Sequence, residues 1–207
     1  MKRIVIVNAG LSQESATARL GRAIEAELQT VGQTDVSWVD LRTLARPIAD
    51  HLVTGFPNVA LGEALQQVTT ADAVVALTPT YQGSYSGLFK SFFDLIDAAA
   101  LTDVPVLLGA TGGTPRHSLV TEHALRPLFS YLHAIVVPTA LFVATEDWGA
   151  HAVDSDGTAG RTLPTRISRA VSQLMGLLNG STSQPRQAAD EFVEVVDFAE
   201  LLRGASA

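Results

Sequence analysis

Three short stretches of this chain carry side chains able to hold a ligand. The first is Gly10-Leu11-Ser12-Gln13-Glu14-Ser15-Ala16-Thr17, with three hydroxyls where a helical pattern begins. Free amides and the positive end of a helix dipole favour an anion at such a place. Capping by Ser15 or Thr17 is the plainer reading, but a cap needs one hydroxyl and not three. The second stretch, Pro79-Thr80-Tyr81-Gln82-Gly83, follows an apolar run, Ala73–Leu77, that stops at Thr78-Pro79. It is rich in hydroxyls, aromatic and flexible, as a ligand loop or an ordinary connection with incidental aromatics would be. The third is Thr111-Gly112-Gly113-Thr114, preceded by Gly109-Ala110 and followed by His117. Adjacent glycines let backbone approach a flat ligand closely, and consecutive amides there can form an anion-binding nest. A tight turn explains one glycine more easily than two.

Other chemistries find no support. The chain has no cysteine, which removes disulfides, thiolate metal sites and thiol nucleophiles together. Neither G-x-G-x-x-G nor G-x-x-x-x-G-K-[ST] occurs, and there is no G-x-S-x-G elbow for a hydrolytic serine. His117 and His123 lie six apart and so off a common helix face; no metal site is expected, and His123 and His133 are expected to pack or to sit at an interface. Fourteen basic against 21 acidic residues give a formal charge of −7, which argues against nucleic acid as a partner. With so few cations, a bound anion must rest on amides and hydroxyls. No apolar run approaches the ~20 residues that span a bilayer, and Met1-Lys2-Arg3 leads directly into a strand pattern, so a cytoplasmic protein without membrane contact is expected.

The elements that must position these stretches follow from periodicity. Strands are expected at Arg3–Asn8, Asp35–Leu41, Ala73–Leu77, Pro105–Ala110 and Ile135–Val143, the last kinked at Pro138. Helices are expected after the first loop to about Thr30, over Val59–Val68, from Leu88 to Ile96, over Arg116–Leu132, and over Leu163–Leu178 with Pro164 in the first turn. Arg42–Pro57 reads as a long irregular crossing, and Glu146–Gly160 as a Gly- and Asp-rich excursion. Alternating strands and helices make an α/β fold with a parallel sheet covered on both faces. Five strands suit a flavodoxin-like three-layer sandwich in the order 2-1-3-4-5. In that order strands one, three and four are neighbours, and the three stretches share one edge. Residues 1–180 form this domain; residues 181–207 are a polar linker and a tail, with Phe192, Val195, Val196, Ala199 and Leu202 at helical spacing.

Three motifs give the chain a family resemblance. They are Gly10-Leu11-Ser12 with Ser15-Ala16-Thr17; Thr78-Pro79-x-Tyr81-x-x-x-Tyr85-Ser86-Gly87-x-x-Lys90; and Ala110-Thr111-Gly112-Gly113-Thr114-x-x-His117, followed by Ala124-Leu125-x-Pro127. Together they resemble the NADPH-dependent FMN reductases of the sulfonate-utilisation type, which supply reduced flavin to two-component monooxygenases. The resemblance implies FMN with its phosphate in the first loop, its ribityl chain and ring against Pro79–Gly83, and its pyrimidine edge on Thr111–Thr114. It also implies a nicotinamide, from NADH or NADPH, stacked on the exposed ring face, and a flavin-dependent monooxygenase of the luciferase-like class as receiver. Members often carry asparagine after the tyrosine of the second motif, where this chain has Gln82. Arg42, Arg46 and Arg116 are the candidates for a 2′-phosphate.

The residues themselves leave alternatives open: a quinone or azo reductase with bound FMN, a flavodoxin-like electron carrier, or a scaffold using only the fold. A homodimer or tetramer is expected. Leu88, Phe89, Phe92, Phe93 and Ile96, with Leu119, Val120, Leu125, Leu128, Phe129 and Leu132, exceed one core-facing stripe on each helix and are read as its interface.

Overall fold

A computed structural model describes residues 1–149 and 162–180. The Gly- and Asp-rich excursion beyond Gly149 and the linker and tail from residue 181 lie outside the described residues. Strands β1 (Lys2–Asn8), β2 (Thr34–Asp40), β3 (Ala73–Tyr81) and β5 (Pro105–Gly112) pair in parallel in the order β2-β1-β3-β5. The next place along the sheet is shared by two short strands, β6 (Ile135–Val136) and β7 (Leu141–Ala144), both parallel to β5. This is the expected 2-1-3-4-5 order with its last strand divided. Pro138 lies in the gap, where a residue without an N–H cannot continue a ladder, and Thr139 N donates instead to Gln173 Oε1 at 2.8 Å.

Alternation along the strands sends side chains to two separate cores. Ile4, Ile6, Val75 and Leu77 pack under α1 (Ala16–Val31) and α6 (Leu163–Gly180). Val5, Val7, Val74 and Ala76 pack on the opposite face, with Ile48, Leu61, Phe89 and Phe129 among the side chains that cover them. Central strands buried on both faces read as unbroken apolar runs, which is what β1 and β3 show.

Several expectations are corrected. The supposed crossing Arg42–Pro57 holds a 3₁₀ turn, Leu41–Leu44, and a true helix, α2 (Ala45–Thr54). Pro47 is its third residue, where no intrahelical N–H is required, and Gly55 ends it at φ 77°. Helix α3 (Val59–Thr69) starts as expected, capped by Asn58. Strand β3 does not stop at Thr78-Pro79: it runs to Tyr81 and turns back as β4 (Ser84–Tyr85), giving seven strands where five were expected. The helix after it, α4, is only Gly87–Phe93. The region expected as one helix, Arg116–Leu132, is broken into a 3₁₀ turn (Pro115–His117), a π turn (Thr121–Leu125) and α5 (Arg126–Tyr131). Pro127 removes an amide there, and the preceding turn widens so that Arg126 N reaches Thr121 O.

The apolar residues assigned to an interface are largely core. Phe89, Phe92 and Phe129 have no exposed surface and Phe93 has 1 %. Their rings pack at an angle, with centroids 4.6 Å apart for the tilted pair Phe89–Phe93 and 4.9 Å for the edge-on pair Phe93–Phe129. Val120, Leu125, Leu132 and Ile96 are buried with them, and Leu88 and Leu128 pack alongside. The surplus of apolar residues is accounted for by an aromatic cluster that fills the space over a short helix and a broken one. Leu119 and Tyr131 are the members of this region left exposed among those with large apolar side chains.

Candidate flavin site

The carboxyl ends of β1, β3, β5 and β7 surround an open depression of about 380 Å³. From the first loop it is lined by Gly10, Leu11, Ser12, Ser15, Ala16 and Thr17, from β3 by Pro79, Thr80 and Tyr81, and from β5 by Thr111, Gly112 and Gly113. Gln82 and Gly83 form the two-residue turn between β3 and β4, and Thr114 and His117 lie exposed beyond β5; none of these four lines the depression. Thr145, the residue after β7, completes the lining and escaped the sequence reading. Its signal was positional, since it follows directly on another strand of the same edge.

The first loop is fixed by local bonds. Gly10 N donates to Asn8 Oδ1 at 3.0 Å, and Asn8 Nδ2 donates to Asp40 Oδ1 at 2.7 Å. Ser15 caps α1, its Oγ accepting from Ala18 N at 3.0 Å. A hydroxyl that accepts still has a proton to donate. Arg19 N bonds to Ser15 O, so the amides of Ala16 and Thr17 are the helix-start donors left without a partner among the described residues. Thr17 does not offer its hydroxyl outward as expected. It is 1 % exposed and shares a 2.8 Å hydrogen bond with Thr111 Oγ1, which ties the first loop to β5 across the floor of the depression.

On the β3 side, Thr78 accepts from Ser86 N at 3.0 Å while Ser86 caps α4 by accepting from Phe89 N. These buried bonds hold the hairpin over the sheet edge. Gln82 (φ 49°) and Gly83 (φ 79°) both take left-handed backbone, as a turn of type I′ requires. Position 82 is thus a turn position that favours asparagine for backbone reasons. On the β5 side, the glycine-rich stretch is partly strand: Thr111 and Gly112 pair with Val143 and Ala144. An added Cβ at Gly112 would lie 2.9 Å from Phe142 Cζ, whereas one at Gly113 would meet nothing within 4 Å among the described residues.

Among the described residues no charged side chain lines the depression. An anion there would be held by hydroxyls and by the amides at the start of α1. Thr80 Oγ1 is out of solvent with no partner among the described residues, an orphan of the kind that a ligand's polar atom satisfies. The open position at Gly113, the orphaned hydroxyl and the free helix amides together fit FMN. Charges lie outside. Arg19 stacks 4.1 Å from the ring centre of Trp148, which follows Thr145 in a 3₁₀ turn anchored by Asp147 to Ala144 N and Arg166. On the π turn the Arg126 guanidinium bonded to Glu122 holds that carboxyl below its ordinary range. Of the three arginines noted for a 2′-phosphate, Arg42 lines a neighbouring cavity, while Arg46 and Arg116 are exposed elsewhere. His123 and His133, expected to pack or to sit at an interface, are both exposed on this chain.

The chain is similar to known FMN reductases. The FMN reductase (NADPH) of Pseudomonas aeruginosa is 37% identical over 86% of this chain and 93% of its own length. The NADH-dependent FMN reductase SfnE of Pseudomonas putida is 40% identical over 76% of this chain and 85% of its own. Among solved structures, an oxidoreductase from Corynebacterium diphtheriae superposes with a TM-score of 0.77 at 37% identity, covering 88% of this chain and 99% of that one. Residues 2–149 match the family model of the NADPH-dependent FMN reductases, and the chain belongs to that family.

Proposed function

We propose that the chain reduces FMN with NADH or NADPH in the depression at the ends of β1, β3 and β5. The observation that carries this is the depression itself: open backbone at Gly113, an orphaned hydroxyl at Thr80, and no lining charge among the described residues. The amides of Ala16 and Thr17, with the hydroxyls of Ser12 and Ser15, take the phosphate. Pro79, Thr80 and Tyr81 flank the ribityl chain and ring, and Gly112-Gly113 admit the ring edge against backbone. FMN, when bound, supplies the hydride acceptor, so the protein binds and orients while no side chain exchanges a proton. Neutral holding suits a flavin that has to leave, and release to a flavin-dependent monooxygenase completes the reading.

The same reading places the protein in the cytoplasm, as a homodimer or tetramer. Among the described residues no helix is long and apolar enough to cross a membrane. With Phe89 and Phe93 assigned to the core, Leu119 and Tyr131 are the exposed apolar residues left for subunit contact on that side.

The test is steady-state oxidation of NADH and of NADPH, with and without added FMN. Oxidation that depends on added FMN is expected. A yellow protein that reduces quinones and ignores free FMN would assign it to the quinone reductases instead.

A further inference from the structure

A second cavity, about 510 Å³, adjoins the flavin depression and shares Gly10 and Ser12 with it. It opens on the β2 side, between α1 and the end of β2, and its other lining includes Arg22, Trp38, Asp40 and Arg42. Its volume falls in the ~300–1,000 Å³ range of sites that enclose nucleotide-sized ligands. Trp38 offers a half-buried indole, fixed by donating Nε1–H to Glu25 Oε2 at 3.1 Å and by packing on Gly21. An aromatic side chain of that kind is a platform for a flat base. Asp40 uses one oxygen on Asn8, leaving acceptor positions at the end of the second strand, where a carboxylate can take ribose hydroxyls.

The charges define the ligand further. Glu14 pairs with Arg22 and Glu25 with Trp38, so Arg42 is the charged lining residue without a partner among the described residues. Arg22 and Glu14 are 50% and 88% exposed, an ion pair weak enough to exchange partners. Three carboxylates against two arginines make a poor site for a free polyanion. They suit one phosphate attached to a ribose and a base.

We propose that this cavity is an adenylate subsite: base on Trp38, ribose hydroxyls on Asp40, phosphate on Arg42. The proposal rests on the flavin reading above, which puts the FMN phosphate at the shared residues Gly10 and Ser12. A group continuing from that phosphate enters the cavity, and the adenylate half of FAD is such a group. The adenylate half of the nicotinamide dinucleotide has the same chemistry and is the other source.

The test compares wild type with Arg42→Glu, an exposed position where the fold is not at stake. FMN, FAD and 5′-AMP are titrated by fluorescence, and KM is measured for NADH. With FAD as occupant, Arg42→Glu weakens FAD at least tenfold and leaves FMN within twofold. With the nicotinamide dinucleotide as occupant, KM for NADH rises at least tenfold and the FAD-to-FMN ratio stays as in wild type. In either case 5′-AMP binds wild type and is lost in the variant. Absence of 5′-AMP binding to wild type, or FAD affinity and KM both unmoved by Arg42→Glu, overturns the subsite. Failure of FMN to bind wild type overturns the flavin reading instead, and the 5′-AMP titration then still decides the cavity by itself.

Discussion

At the first-loop end of the depression an added Cβ on Gly10 would lie 2.1 Å from Ser15 Oγ, whereas at the β5 end one on Gly113 would meet no atom of the described residues within 4 Å. Both glycines belong to motifs of the same site, yet the protein itself requires only the first. Gly10 is needed so that Ser15 can cap α1, and the loop around it is closed by the bonds of Asn8 and Asp40. Nothing in the described chain fills the space at Gly113. A substitution in the first loop therefore disturbs fold and ligand together, while one at Gly113 reports on the ligand alone.

The largest effect is expected where crowding is complete. Phe89→Glu would bury a charge inside the aromatic cluster, a loss above roughly 4 kcal/mol that leaves most domains unfolded. Near-UV circular dichroism should show loss of tertiary structure; a folded variant of altered subunit number would return Phe89 to an interface. Next is Gly10→Val, which must displace the Ser15 cap and overpack the loop, at a cost of about 2–3 kcal/mol. Thermal unfolding and FMN affinity should fall together, and a variant that loses only FMN would erase the contrast between the two ends.

Thr17→Val should cost about 1–2 kcal/mol, because Thr111 Oγ1 is left buried without its partner. Adding Thr111→Val should recover part of that loss, since removing both partners is milder than removing one. A double-mutant cycle on denaturant unfolding checks this, and simple additivity would mean the hydroxyl pair does not join the two ends. The smallest effect is a gain. Gln82→Asn should stabilise the hairpin by about 0.5 kcal/mol, because asparagine tolerates left-handed backbone better than glutamine. It should leave FMN affinity unchanged, since residue 82 lies outside the depression.

Much of this site was legible from the residues. Strand order and the shared edge followed from apolar runs alternating with helical periods, and hydroxyls at a helix start marked the first loop. Legibility failed where one local signal has two structural meanings. Arg42–Pro57 read as an irregular crossing, yet Pro47 lies in the first turn of α2, where a proline is compatible with a helix. Thr78-Pro79 suggested a strand end, yet β3 continues to a turn whose left-handed residues include a glutamine. Thr17 looked like a ligand hydroxyl and is bonded to Thr111, a pairing across 94 residues that no local pattern announces. The phenylalanines of α4 looked like surplus because helix length was overestimated; a seven-residue helix beside a broken one needs more apolar volume per residue to fill its layer.

The central claim is that the flavin edge lies against Gly113, and Gly113→Val tests it most directly. The added Cβ meets no atom of the described residues within 4 Å, and no left-handed backbone is required there. The melting temperature should therefore stay within about 2 °C of wild type, a shift that corresponds to about 0.5–1 kcal/mol at most. FMN affinity, read by quenching of flavin fluorescence, should fall at least tenfold. A Gly113→Val protein that binds FMN as tightly as wild type would contradict the placement of the flavin at this end of the depression.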